Sequence, residues 1–135
     1  MQFKTLIFFL LISSTLFSQE IGSVINGNYT IKLIKANNQF SVVYSDVNSE
    51  AFNSKMSFNF PNIDTMYTIV MDGFKHQKDH QVIVQTNNDT IVKFEFKKLK
   101  GKKMLMIRQN SLVSKIVGTS IFFSKDEIIK LFGNP

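Results

Sequence analysis

Residues 90–109, TIVKFEFKKLKGKKMLMIRQ, constrain what this chain can fold into more than any other stretch. Two runs of alternating apolar and polar residues flank Lys100-Gly101, and alternation with period two marks a strand with one buried face. A two-residue loop at Lys100-Gly101 folds the runs into a hairpin, pairing Leu99 with Lys102, Phe96 with Leu105 and Phe94 with Ile107. Val92, Phe94, Phe96, Leu105 and Ile107 then share one face. Met104 and Met106 fall on the other, with Lys93, Glu95 and Lys97. The tip gathers Lys97, Lys98, Lys100, Lys102 and Lys103.

The rest of the chain supplies partners for that hairpin. Residues 27–35 (GNYTIKLIK) and 40–45 (FSVVYS) read as two strands turned by Asn37-Asn38, since asparagine tolerates positive φ. Residues 46–53 form a polar loop, and residues 55–60 a short third strand with Met56, Phe58 and Phe60 on one face. The period then changes: Ile63, Met66, Tyr67, Val70, Met71 and Phe74 follow the stripe of a helix. Asn62 suits the N-cap, Asp64 the first turn and Gly73 a left-handed stop, which places the helix at residues 63–72. A strand through residues 67–71 is the competing assignment, on β-propensity.

Residues 81–86 (QVIVQT) read as a fourth strand turned by Asn87-Asn88. Pairing Thr86 with Asp89 sets Ile83 opposite Val92 and Val84 opposite Ile91. Both faces of that pair are apolar, the mark of a strand covered on both sides. Residues 111–117 fit a loop or a short edge strand, and residues 118–123 a last strand. Ser124-Lys125-Asp126-Glu127 is a capping box that starts a terminal helix through Ile128, Ile129, Leu131 and Phe132, stopped by Gly133.

This order predicts an α+β fold: about six to seven mostly antiparallel strands, one internal helix and a C-terminal helix. The alternative is a small lipocalin-like β-barrel with a C-terminal helix, which needs the residue-63 segment to be strand. The tryptophan usual in the first lipocalin strand is missing, as the chain has none.

The N-terminus sets the mature length. Lys4, an apolar run from Leu6 to Ile12 and a small polar group before Gln19 read as a secretory signal peptide over residues 1–18. The run is shorter than the roughly 20 apolar residues a membrane anchor needs. Residues 19–26 read as a flexible lead-in, and residues 27–135 as a single domain. With no cysteine there is nothing to acylate, so the expected product is secreted or periplasmic, not a lipoprotein, and without a membrane span after cleavage. Disulfides and thiol chemistry are excluded too, which leaves the core to aromatic bulk: the chain has 14 Phe.

The formal net charge is +6, and residues 90–110 alone supply it, with seven cations against Glu95. Such a patch can meet an acidic protein or an anionic surface glycan. It also has a purely structural reading, because lysines keep a long apolar hairpin from pairing with other chains. Nucleic acid is disfavoured, since Phe94 and Phe96 point away from the lysines instead of stacking among them. Met104 and Met106 offer a soft contact surface, unless a segment such as residues 111–117 covers them.

No catalytic signature appears. His76, Asp79 and His80 resemble the spacing of the zinc-protease motif H-E-x-x-H, but Gln77 stands where the basic glutamate belongs, and a solvated loop explains HQKDH better. Two histidines in one polar loop support no serine hydrolase, and no glycine-rich phosphate loop is present. Asp46, Glu50, Asp64, Asp72, Asp79 and Asp89 can serve a hydrolase only if the fold brings a pair together. The expected function is therefore non-catalytic binding without a cofactor, through Lys97, Lys98, Lys100, Lys102, Lys103, Met104 and Met106. A carrier of an apolar ligand in a Phe-lined cavity is the second reading, and an uncharacterised hydrolase the third.

Overall fold

The computed structural model describes residues 18–51, 53–86, 89–114 and 116–135. All of the expected export signal except Ser18 lies outside them. Four strands come first: β1 (Gln19–Asn26), β2 (Tyr29–Ala36), β3 (Gln39–Ser45) and β4 (Lys55–Phe60). Helix α1 (Ile63–Lys75) follows, then β5 (His80–Thr86), β6 (Thr90–Leu99), β7 (Lys102–Ser111), β8 (Val117–Ser124) and helix α2 (Lys125–Leu131). Each group of four is an antiparallel meander, so the chain makes two four-stranded sheets in the orders β1-β2-β3-β4 and β5-β6-β7-β8. The architecture is α+β and mostly antiparallel, with eight strands where six or seven were expected. The sheets do not close into a barrel, and residues 63–75 are helix, so the lipocalin-like alternative fails.

The extra strand is β1, over residues expected to be a lead-in. Its alternation is hidden by a bulge between Glu20 and Gly22. The additional residue lets Ile21 and Val24, three apart, both pack on the core. The bulge lies beneath the end of α2: a Cβ on Gly22 would run into the Lys130 and Leu131 carbonyl oxygens, so this position needs glycine.

Short-range turn chemistry sets most of the ladder. Asn37 and Asn38 both take positive φ and bring Ala36 opposite Gln39. Lys100 and Gly101 do the same with φ of 52° and 80°, the pattern of a two-residue hairpin turn. Leu99 duly faces Lys102, Phe96 faces Leu105 and Phe94 faces Ile107.

The β5–β6 register differs by one residue from the expectation. Thr86 pairs with Thr90, which puts Val84 opposite Val92 and Ile83 opposite Lys93. Asp89, with a φ of 56°, joins the turn instead of the ladder. A one-residue slip moves every side chain to the other face. Val82 and Val84 therefore face the core while Ile83 is 58% exposed, and β5 is an edge strand covered on one side only.

The helices tie the sheets together by crossing over. Helix α1 follows the first sheet but packs on the second, where Phe74 meets Phe96 edge-on at 5.1 Å between ring centroids. Helix α2 follows the second sheet but packs on β1 and β2 as well as β7 and β8. Tyr67 of α1 meets Phe132 at the end of α2 with the rings tilted and 5.1 Å between centroids. Phe58 and Phe94, one from each sheet, meet at 6.3 Å. Val42, Phe58, Met66, Phe94, Leu105 and Leu131 thus belong to one apolar cluster with contributions from both sheets and both helices.

Both helices begin as expected. Asn62 caps α1 by accepting from Thr65 N at 3.0 Å. The capping box of α2 is complete, with Ser124 Oγ accepting from Glu127 N at 3.1 Å and Glu127 Oε1 from Ser124 N at 2.9 Å. The end of α1 is a correction. Gly73 does not stop the helix, which runs on to Lys75; it is a buried contact point where a Cβ would overlap the Phe96 ring.

Candidate functional surface

Residues paired across a ladder share a face, so register alone assembles the outer surface of the second sheet. Ile83, Lys93 and Arg108 form one row, because Ile83 pairs with Lys93 and Lys93 with Arg108. Gln81, Glu95, Met106 and Phe122 form the next, and Lys97 with Met104 the third. Leu99 and Lys102 close the row nearest the turn. Both helices work on the opposite side, since the residues meeting them include Phe96 and the buried Phe94, Leu105 and Ile107. The outer face is left without a helix.

The face is basic with soft apolar ground between the charges. Lys97 and Lys102 are exposed, while Lys93, Met104, Met106 and Phe122 are partly buried among their neighbours. Its acid, Glu95, is paired with Arg108 at 3.3 Å. Being partly exposed, that pair adds at most about 1 kcal/mol to stability, but it offsets one of the cations.

The five tip lysines do not share one face. Alternation sends Lys97 and Lys102 to the outer face and Lys98 and Lys103, paired with each other, to the inner side beyond the core. Lys103 Nζ donates to the carbonyls of Gln77 at 3.2 Å and Lys78 at 3.1 Å, so it staples the α1–β5 connection. Lys98 N donates to Asp79 Oδ1 at 3.0 Å, which holds the same connection from the other side. Lys100 sits in the turn and is exposed.

Met104 and Met106 were open to a cover from residues 111–117. That segment turns to the neighbouring loop instead, with Leu112 N donating to Asp89 O at 2.8 Å. Its own apolar side chains are exposed, Val113 at 82%. Of the two readings of residues 111–117, the loop holds at Leu112–Ser114; sequence reading missed the places of Phe122 and Ile83 on the outer face. Ile83 reaches it because Thr86 pairs with Thr90 and not with Asp89.

His76 and His80 lie against each other at 4.3 Å, and His80 stacks on Phe96 at 5.0 Å and 9°. His80 is part of the packing that closes the open end of the core, and Asp79 is turned to Lys98 N. Among the described residues no three His, Cys, Asp or Glu side chains are grouped to hold a metal.

Asp46 and Glu50 both line an open recess of about 280 Å³ in the β3–β4 loop. Asp46 Oδ1 there accepts from Asn48 N and Thr119 N, both at 3.1 Å, and so anchors the loop to β8. Tyr44 lies beside it, and burial, with the Asp46 charge adding to it, pushes its phenol well above its ordinary value. That phenol donates to Gln109 Oε1 at 2.7 Å, and Gln109 Nε2 donates to Ser57 O at 3.0 Å, a chain of bonds from sheet to sheet.

Inside the core, the space bounded by Val42, Phe58, Met66, Phe94, Leu105 and Phe132 amounts to about 10 Å³. One water needs roughly 10–15 Å³ measured this way, so this space takes no apolar ligand. Among the described residues no helix is long and apolar enough to cross a membrane. Compared with protein-family models, curated proteins and solved structures, the chain finds no match.

Proposed function

We propose that this chain is an exported, non-catalytic binding protein that meets an acidic partner through the outer face of its second sheet and the adjoining hairpin tip. The observation that carries the reading is the helix-free face itself, where Lys93, Lys97 and Lys102 surround Met104 and Met106. Cations steer and orient a partner of opposite charge, while methionines adapt to its apolar groups. Apolar ground of this kind suits an acidic protein surface better than an anionic glycan, whose exterior is hydroxyls and charge. Of the original tip, Lys97, Lys100 and Lys102 are the contact cations; Lys103 serves the scaffold. Export rests on the sequence of residues 1–18.

Two defined probes test this reading, polyglutamate for an acidic protein and dextran sulfate for an anionic glycan. Binding of polyglutamate should weaken steeply with salt, and changing Lys97, Lys100 and Lys102 together to Ser should weaken it at least about tenfold. Met104→Ser with Met106→Ser should weaken polyglutamate modified with apolar side groups more than plain polyglutamate. Unchanged affinity in the triple lysine variant sinks the proposal. Preference for dextran sulfate that ignores the methionines transfers it to a glycan.

A further inference from the structure

The four edge strands of the two sheets are not equally protected. At β1 the edge carries Glu20 and a bulge. Lys55 opens β4, and Pro61 follows it directly. At β8 the chain is covered by the β3–β4 loop, with Val47 N donating to Thr119 O at 2.8 Å. Charge, bulges, proline and cover are the devices by which proteins keep sheet edges from pairing. Strand β5 has no charge, bulge or proline from Gln81 to Thr86, and its ladder runs along one side only, to β6, although β4 and α1 approach it.

The sequence of that edge reads the same in both directions. Gln81-Val82-Ile83-Val84-Gln85 is a palindrome centred on Ile83. Two antiparallel copies related by a two-fold axis at Ile83 would set Ile83 against its own copy. Each Val82 would then face a Val84, and each Gln81 a Gln85. Every facing pair is matched, apolar with apolar and amide with amide. The strand is also held straight at both ends, by the stacking of His80 on Phe96 and by Thr86 Oγ1 donating to Thr90 O at 3.3 Å. A held edge loses little freedom on pairing.

We infer that β5 is a self-recognition edge, through which two copies of this chain join their second sheets into one continuous eight-stranded antiparallel sheet. The occupant is a second copy, not a foreign peptide, because the match is between the strand and itself. The contact is isologous: it consumes both free edges, so assembly stops at two and makes no fibre. Ile83, on the outer face and 58% exposed, is the residue with most apolar surface to lose from water at the axis. The dimer also lays two outer faces side by side. The inference does not depend on what those faces bind.

Sedimentation velocity over a wide concentration series tests it without any anionic probe. The protein should be dimeric at the high end, and Ile83→Lys should raise the dissociation constant at least about tenfold while leaving the circular dichroism unchanged. Ile83→Glu should do the same, and an equal mixture of the two variants should dimerise again, since residue 83 faces residue 83. The chain has no cysteine, so introduced ones report register cleanly. Partner Cα atoms of an antiparallel pair lie about 4.5–5.5 Å apart, within disulfide range. Ile83→Cys should therefore crosslink to itself under mild oxidation. Gln81→Cys should not, but should crosslink to Gln85→Cys. A protein that stays monomeric, a dimer indifferent to Ile83→Lys, or self-crosslinking of Gln81→Cys would each overturn the inference.

Discussion

Tyr44 and Gln109 show how single residues hold the two sheets in place. The phenol is fully buried, donates to Gln109 Oε1 at 2.7 Å, and is kept protonated by burial and by the nearby Asp46 charge. Its ionisation is harder in the folded chain than in the unfolded one, where a tyrosine loses its proton near pH 10. Above that pH the unfolded state binds fewer protons than the folded state, so stability falls as pH rises. Urea titrations between pH 8 and pH 11 should show this loss, and Tyr44→Phe should flatten it. At neutral pH the same substitution should cost about 1–3 kcal/mol, because Gln109 Oε1 is left buried without its donor. A pH profile identical in both proteins would refute the argument.

At the scale of elements, the decisive contacts are those between a helix and the sheet it crosses onto. An alanine normally improves a helix interior over glycine by roughly 0.5–1 kcal/mol. Position 73 should reverse that sign, since the Phe96 ring occupies the space a Cβ would take. Gly73→Ala is expected to destabilise by about 1–3 kcal/mol, the usual cost of overpacking, and Phe96→Leu in the same chain should recover part of it. Thermal or urea unfolding of the two variants checks this directly, and stabilisation by Gly73→Ala would contradict it.

The legibility of these elements in the sequence followed their range. The β6–β7 hairpin and the α2 capping box rest on residues within a few positions of each other, and each came out as read. The end of α1 did not, because Gly73 answers to Phe96 and not to its own neighbours. The candidate face was legible in part. Met104 and Met106 were placed with Lys93 and Lys97 by alternation, but the division of the tip lysines needed the carbonyls of Gln77 and Lys78, which only the folded chain brings to Lys103.

For the whole molecule, the exchange of helices between sheets predicts cooperativity. Neither four-strand-plus-helix half buries its own sheet alone, since α1 covers the second sheet and α2 reaches back to the first. Tyr29, Tyr44 and Tyr67 are the chain's three tyrosines and all lie in the first half, so tyrosine fluorescence follows that half. Amide exchange in β6 and β7 follows the second. Both should report one transition with the same urea midpoint, as two-state unfolding requires. Separate midpoints would mean that the halves are stable on their own.

By itself, the sequence determined what depends on alternation, on turn residues and on caps: the hairpin at Lys100-Gly101 with its register, both helix starts, and a basic outer face beside an aromatic core. These are local because the groups that satisfy each other sit within a hairpin or a helical turn. The tertiary structure decided what depends on distant surfaces. It made residues 19–26 a strand, because pairing with β2 and the packing of Ile21 and Val24 under α2 hold the segment despite its bulge. It set β5 one residue away from its simplest pairing, leaving Ile83 in water at an unpaired edge. It also turned α1 and α2 onto each other's sheets. Burial is shared between segments far apart in the chain, and no local pattern records which of them will share it.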